Sequence, residues 1–316
     1  MLLTRLKQCI TEAAPRATKT ILWIVRITAL VSLAMFLLQY TGILQWISAH
    51  VSPLFHLFGL RGDAAMAFVS GYFINIYTSI AVISTLDLTV REITILATMS
   101  TAAHAIIVEG AVLHKTGTPT LYTIILRTIA CLVLGWALNQ LLPDRPTTWA
   151  EASIVASEVP FIAIQGDFQP LFWEWLQGLL RLVTMMAGLI FLLNILQRIL
   201  YEFGVMARIS RLLRPLLMLF GLPEKTSFLW IVANVIGLSY GSAAMIDEMA
   251  QGNISRREVN LLNTHIGISH SNLEDLLLYA SIGGVWWVIL TARWVLVTLL
   301  VWSLRGLYRL FPQLFA

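Results

Sequence analysis

The stretch ISAHVSPLFHLFGL, residues 47–60, recurs as ISRLLRPLLMLFGL at residues 209–222, with eight of the fourteen aligned residues identical. After a slip of four residues, the match continues at a constant offset of 166. A histidine, an acid and an arginine then recur together: His104, Glu109 and Arg127 align with His270, Asp275 and Arg293. Hydrophobic segments align by chance, whereas ionisable residues at constant spacing rarely do. The chain therefore contains one unit twice, as many membrane transporter folds do.

The composition indicates an integral membrane protein. Apolar residues make up 58% of the chain and charged residues 12%, with a mean hydropathy of +0.79. In soluble domains, roughly 45–50% of residues are apolar and roughly 25% are charged. Six apolar runs are each long enough to cross a hydrocarbon core of about 30 Å as a helix. They are residues 20–39, 64–86, 119–141, 173–197, 226–246 and 284–304.

Other classes of protein find no support in the sequence. The 21 Lys and Arg residues lie mostly at the ends of apolar segments, as in membrane proteins, and form no basic stripe for nucleic acid. Cys9 and Cys131 lie in unmatched surroundings, which argues against a disulfide framework or a Cys-based metal site. Without a Walker loop, a GxSxG elbow or an HExxH motif, we expect neither an enzyme nor a bound cofactor.

The chain divides into an amphipathic N-terminal segment, two repeats and a linker. The predicted boundaries are 1–19 for the N-terminal segment, 20–141 for repeat 1, 142–170 for the linker and 171–316 for repeat 2. Each repeat contains a long apolar helix, a semi-polar segment, an apolar helix interrupted by polar residues, a fourth segment with histidine and acid, and a final apolar helix. The linker carries four prolines and four acids, and we expect it to be extracytoplasmic.

The fourth segments, residues 90–114 and 256–280, decide the topology. If they are re-entrant, each repeat crosses the membrane three times and the repeats are inverted; if they cross, the repeats are parallel. The parallel arrangement would place a basic cluster outside the cell. This cluster is formed by Arg198, Arg208, Arg211, Arg214 and Lys225. The positive-inside rule therefore favours inversion, although Arg256 and Arg257 would then be external. We predict an all-α polytopic protein in which each inverted repeat has three transmembrane helices, an interfacial semi-polar helix and a re-entrant helical hairpin.

Polar residues concentrate in the third and fourth segments of each repeat. The third segments supply six candidates for a substrate site: Asn75, Tyr77, Ser79, Asn234, Tyr240 and Ser242. Their small residues also suit close helix packing, which is the alternative interpretation. An amide in hydrocarbon needs a partner, so each asparagine is expected to bond a neighbouring helix or a ligand.

The fourth segments carry the stronger candidates, because ionisable groups at membrane depth are rare and usually face a cavity or each other. His104, His270 and Asn272 are predicted to bind substrate, and Glu109, Glu274 and Asp275 to carry a coupling ion. Arg127 and Arg293 lie deep in the last apolar run of each repeat. We expect them to pair with Glu109 and Asp275 respectively, or with an anionic ligand.

The chain resembles a known family at this point. Each repeat has a proline that is followed at a fixed distance by Gly-Leu, from Pro53 to Leu60 and from Pro215 to Leu222. This element precedes an interrupted helix in both repeats. The motif HSNLED occupies residues 270–275. This pattern is similar to the Gate, or nucleoside-recognition, domain family. That family includes spore maturation proteins A and B; similar domains form the membrane part of the bacterial ferrous-iron transporter and are related to concentrative nucleoside transporters.

The resemblance covers residues 20–141 and 173–304 and implies an inverted-repeat transporter whose hairpins meet near the membrane midplane. The Cys-bearing gate motif and the G domain of the ferrous-iron transporter are absent. We therefore predict a permease for a small polar solute or ion, coupled to a proton or cation. Two alternatives stay open: a divalent-metal permease using His104, His270 and the neighbouring acids, and a non-transporting membrane partner protein.

The expected location is the bacterial cytoplasmic membrane, with both termini in the cytoplasm. The expected partners are the lipid bilayer and a small solute or ion, with no nucleic acid. A homodimer is compatible with the sequence, which does not decide the oligomeric state.

Overall fold

The computed structural model describes residues 2–143 and 167–311, and this part of the chain is all-helical. The helices of the first half are α1 (Leu2–Tyr40), α2 (Ile43–Phe55), α3 (Ala64–Phe73), α4 (Ile76–Ile83), α5 (Val90–Ala102), α6 (Ile106–Lys115) and α7 (Thr120–Leu141). Those of the second half are α8 (Phe168–Glu202), α9 (Val205–Leu219), α10 (Ser227–Val235), α11 (Leu238–Ala250), α12 (Arg256–Ile268), α13 (Asn272–Ala280) and α14 (Trp286–Leu310). Among the described residues, each half thus has seven α-helices, in the same order of long and short elements. Most of the predicted linker, residues 144–166, lies outside the described residues.

Within the part of the chain that the structure describes, five segments are long and apolar enough to cross a membrane, which agrees with a polytopic membrane protein. They are Lys7–Tyr40, Val90–Lys115, Thr120–Leu141, Phe168–Glu202 and Trp286–Leu310. The prediction that residues 64–86 and 226–246 each form one spanning helix is wrong. The first breaks at Ile74–Asn75 and the second at Ile236–Gly237, where the backbone leaves the helical conformation.

The two short helices on either side of each of these breaks fold back on each other. Thr78 Oγ1 donates to the carbonyl of Ser70 at 3.0 Å, and a Cβ on Gly71 would lie 2.8 Å from Ser79 Cβ. The helices α10 and α11 cross in the same manner. Small residues at the crossing let the two backbones approach, as the packing interpretation of the third segments expects.

The fourth segments, by contrast, do not fold back, so the predicted hairpins were placed in the wrong segments. Arg91 Nη2 donates to the carbonyl of Asn139 at 2.9 Å, near the end of α7. A Cβ on Gly110 would lie 3.2 Å from Thr120 Cγ2, at the start of α7. Helices α5 and α6 therefore follow one another along a single antiparallel neighbour, α7, and are separated only by a break at residues 103–105.

The same arrangement occurs in the second half. The guanidinium of Arg257 lies 5.9 Å from the ring centroid of Tyr308, near the end of α14, and Arg293 bonds Asn272 in the first turn of α13. Helices α12 and α13 thus run antiparallel to α14, one after the other. A sequence pattern cannot distinguish a broken helix that continues from one that folds back, because both need polar residues and an unwound turn at the break.

The first helices of the two halves run in opposite directions. Arg5 forms an ion pair of 3.0 Å with Glu202, where the start of α1 meets the end of α8. At the other end, the rings of Phe36 and Phe168 pack with centroids 5.9 Å apart. The predicted N-terminal segment 1–19 belongs to α1, since the helix is continuous from Leu2.

The last helices of the two halves also oppose each other. Thr94 Oγ1 accepts from the backbone N–H of Val285 at 3.1 Å, and the carbonyl of Thr101 accepts from Arg293 at 3.3 Å. Helix α14 therefore runs parallel to α5 and antiparallel to α7. Each half packs its last helix against a broken helix of the other half, and each of two hydrophobic clusters contains buried residues of both halves.

Candidate functional site

Two breaks, one in each half, place the candidate histidines at the centre of the protein. His104 precedes Ala105, which has a φ of 43°, and His270 precedes Ser271, which has a φ of 49°. Such left-handed backbone is unusual for residues other than glycine and signals a locally constrained turn. The hairpin helices α3 and α10 support these turns, because their backbone carbonyls accept hydrogen bonds from Ala105 and Ser271.

The two histidines and one acid converge on a single point. The Nε2 atoms of His104 and His270 each lie 3.1 Å from Oε1 of Glu109, and the ring centroids are 5.1 Å apart. Both histidines are at least 96% buried, with exposures of 4% and 1%. This His–Glu–His cluster draws one side chain from the second half and two from the first.

Each imidazole is oriented by its own helix. His104 Nδ1 lies 3.2 Å from the carbonyl of Ser100, and His270 Nδ1 lies 2.7 Å from the carbonyl of Ile266. A carbonyl oxygen only accepts hydrogen bonds, so each Nδ1 carries the proton. In the neutral ring, each Nε2 then presents a lone pair towards Glu109.

Arg127 forms an ion pair with Glu109 and donates hydrogen bonds to backbone carbonyls at the end of α5. Its Nη1 lies 2.6 Å from Glu109 Oε2, and Nε and Nη2 donate to the carbonyls of Ala102 and His104, both at 3.0 Å. These carbonyls have lost their helical partners at the break and need donors. The pairing of Arg127 with Glu109 is the one expected from the sequence, and the arginine is fully buried.

The matching arginine of the second half does not pair with its acid. Arg293 donates to Oδ1 of Asn272, whose Nδ2 in turn donates to Asn234. The predicted Arg293–Asp275 ion pair is therefore wrong, because the guanidinium of Arg293 donates to Asn272 instead. Within the described residues, Asp275 Oδ2 has no hydrogen-bond partner, although the residue is only 2% exposed.

Two further candidate residues, one from each half, form a hydrogen bond. The hydroxyl of Tyr77, on α4, donates to Glu274, on α13. Both residues are partly buried. This bond joins a hairpin of the first half to the broken helix of the second, next to the His–Glu–His cluster.

Four predicted site residues lie outside this network or serve local structure. Asn75 caps α4 by accepting from the N–H of Thr78, and Ser79 lies 3.3 Å from the hydroxyl of Ser100. Ser242 is buried, with no hydrogen-bond partner among the described residues. Tyr240 is 46% exposed, because it lies two residues from Ser242 and hence on another face of α11. That Tyr240 lines a central site stays a prediction.

Two buried polar groups were missed from the sequence. His265, fully buried, accepts a hydrogen bond of 3.1 Å from Trp230 and packs against Phe220. Asn263 donates to Thr116 and Thr118 at 2.6 and 2.8 Å, joining α12 to the turn before α7. The available signal was an amide and an imidazole within an apolar segment, as at His104.

The His–Glu–His cluster could also hold a metal ion. One ligand atom from each of His104, Glu109 and His270 lies within 4.8 Å of the others. Two imidazole nitrogens and a carboxylate oxygen are ligands that several divalent transition metals accept.

Comparisons with known proteins agree with the resemblance read from the sequence. The family model described as Gate, nucleoside recognition, matches residues 21–119. A membrane protein of Bacillus subtilis (strain 168), YvoD, described as uncharacterized, is 30% identical over 279 residues, which cover 88% of each chain. No solved structure matches the chain.

Proposed function

Because this chain belongs to the Gate, or nucleoside-recognition, family of membrane proteins, we propose that it is a transporter for a small polar solute or ion. The observation that carries the proposal is the buried cluster of His104, Glu109, Arg127 and His270 where the two halves meet. Ionisable groups at membrane depth mark substrate and ion pathways more often than structural contacts. Both histidines lie at breaks of helices, which is where transporters commonly bind their cargo.

In the proposed topology, the two halves are inverted repeats. Each crosses the membrane three times: α1, the α5–α6 segment and α7 in the first half, and α8, the α12–α13 segment and α14 in the second. The hairpins α3–α4 and α10–α11 are re-entrant. An odd number of crossings reverses the second repeat, and the opposite directions of α1 and α8 support this arrangement.

Charge supports the same topology better than the prediction from sequence did. With the hairpins in the third segments, Arg256 and Arg257 move to the cytoplasmic side, together with the basic cluster around Arg208. Arg61 and Arg91 lie on the outer side. The external position of Arg256 and Arg257 had counted against inversion, and that objection no longer applies. Both termini are cytoplasmic in this topology.

The proposed site has two parts. His104, His270 and Glu109 bind the cargo or the coupling ion between the broken helices. Tyr77 and Glu274 tie the hairpin of the first half to the second, so a change at the site would be passed to a hairpin that gates access. The proposed location is the cytoplasmic membrane of a bacterium; the relative YvoD is described as a membrane protein and comes from a bacterium.

Transport by purified protein in proteoliposomes tests the proposal. A panel of nucleosides, amino acids and divalent cations would be applied to vesicles while charge movement and uptake are recorded. We expect a signal for at least one solute, and its loss in His270→Ala and in Glu274→Ala. His114→Ala is the matched control, because this exposed histidine lies at the far end of α6.

Two results would contradict the proposal. If wild-type vesicles moved nothing in the panel, the non-transporting partner protein would be the better interpretation. If both site variants transported as well as wild type while remaining monodisperse in detergent, the site would be misplaced.

A further inference from the structure

We infer that His104, His270 and Glu109 form a binding site for a divalent transition-metal cation, with His104 Nε2, His270 Nε2 and Glu109 Oε1 as the ligands. Such a site would identify the class of cargo of the transporter proposed above, and to that extent the inference rests on the proposed function. The evidence for binding, however, is the arrangement of three side chains and does not depend on transport.

The orientation of the histidines leaves two lone pairs facing an anion. Both Nδ1 atoms are committed to backbone carbonyls, so the Nε2 atom of each neutral ring accepts rather than donates. Glu109 is ionised against Arg127 at 2.6 Å, so its oxygens also accept. Three acceptors therefore meet at one buried point, an arrangement that needs a bound cation or added protons.

One divalent ion satisfies the three acceptors at a single point and adds the same charge, +2, as a proton on each imidazole would. Protonating both imidazoles would place two cations, 5.1 Å apart between ring centroids, beside the fixed charge of Arg127. A single carboxylate would then face three positive groups. A metal ion instead uses both nitrogen lone pairs directly.

The two His–Glu distances fit direct ligation. Metal bonds of about 2.0–2.1 Å to imidazole nitrogen and carboxylate oxygen place neighbouring ligands of a tetrahedral site roughly 3.3 Å apart. The two observed His–Glu separations are 3.1 Å, and all three ligand atoms lie within 4.8 Å of one another. The Nδ1–H to carbonyl bonds are also the supporting contacts that metal-binding histidines usually make.

The ligand types select the class of ion. Imidazole favours zinc, iron, cobalt, nickel or copper over magnesium and calcium, which prefer all-oxygen sites. Three protein ligands leave coordination positions open, as in sites that exchange a ligand, whereas closed structural sites use four. An ion held by ligands from both halves would be released when the halves separate, which suits a transported cation.

Binding of Co²⁺ to the purified full chain in detergent tests the inference. Calorimetry would measure the affinity, and visible absorption would report imidazole coordination. We expect one Co²⁺ per chain, displaced by Zn²⁺ but not by Mg²⁺. His104→Ala and His270→Ala should each weaken Co²⁺ binding by more than about 100-fold, since changes in the supporting shell alone cost about 10- to 100-fold. His114→Ala should bind as wild type does.

Folding is checked for each variant by its elution profile and thermal unfolding. If an alanine variant does not fold, His104→Gln and His270→Gln replace it, since glutamine fills similar space and lacks the imidazole nitrogen. Absence of Co²⁺ binding to the wild type, or unchanged binding in folded variants of both histidines, would overturn the inference.

The same preparations separate this inference from the proposed function. Co²⁺ that binds but is not taken up by proteoliposomes, in a protein that moves no other solute, would overturn transport and leave the metal site standing. Uptake of another solute by a protein that does not bind Co²⁺ would overturn the metal site and leave transport standing.

Discussion

The two halves of this protein have the same order of helices but carry different side chains at some equivalent positions. In the first half, Glu109 reaches both imidazoles and pairs with Arg127. In the second half, Asp275 follows its histidine at the same spacing, yet its side chain is one methylene shorter, and among the described residues one of its oxygens has no partner. Arg293 turns to Asn272 instead.

Two other positions also differ between the halves. Ile106 of the first half stands where the second has Asn272, and Val108 stands where it has Glu274. The second half thereby gains an amide that captures its arginine and an acid that Tyr77 binds. Helices in equivalent order thus carry an asymmetric cluster of side chains, in which the first half supplies the central anion and the second supplies one histidine and the bond to Tyr77.

The largest expected effect separates Glu109 from Asp275. Glu109→Gln leaves Arg127 buried without its counter-charge, which should lower the free energy of unfolding by about 3–5 kcal/mol and abolish the site. Asp275→Asn should cost far less, because Asp275 has no direct arginine partner. Thermal unfolding in one detergent measures both. Equal losses would mean that the two halves are equivalent and the asymmetry is wrong.

The hairpin crossings should respond alike in the two halves. A Cβ on Gly71 would lie 2.8 Å from Ser79 Cβ, and one on Gly241 would lie 2.7 Å from Ala233 Cβ. Gly71→Ala and Gly241→Ala should each destabilise the protein by about 1–3 kcal/mol through overpacking. Gly178→Ala is the control, since no atom lies within 4 Å of a Cβ there. A neutral effect at either crossing would contradict the folded-back hairpin in that half.

A smaller effect is expected at a contact that only one half makes. Asn263 donates to Thr116 and Thr118, while its counterpart by offset is Ala97. Asn263→Ala removes two hydrogen bonds and should destabilise the protein by about 1–2 kcal/mol without changing Co²⁺ affinity. A loss of metal affinity as large as that of His270→Ala would show that Asn263 belongs to the site.

The sequence predicted the elements that depend on length and hydropathy. Helices α1, α7, α8 and α14 cover the apolar runs expected of them, and the recurring His104 and His270 do meet. Constant spacing across an internal repeat was the useful signal. It identifies equivalent positions without showing which of them touch.

The errors concern what happens at helix breaks and at side-chain ends. Whether a helix continues or folds back depends on its neighbours, and α7 holds α5 and α6 end to end in a way that no local pattern records. Likewise, Asp275 and Glu109 look equivalent in sequence. Which acid reaches the histidines depends on one methylene and on the competing amide of Asn272, and both act through packing between the halves.

The central claim is that the halves face opposite sides of the membrane and meet in one site. Lys115 and Ser281 test it most directly, because they are equivalent by the offset of 166 and both are exposed. Single cysteines would be placed at each position in a chain lacking Cys9 and Cys131, and labelled with a membrane-impermeant maleimide. We predict that Ser281→Cys is labelled in intact cells and that Lys115→Cys is labelled only after permeabilisation. Labelling of both from the same side would contradict the account.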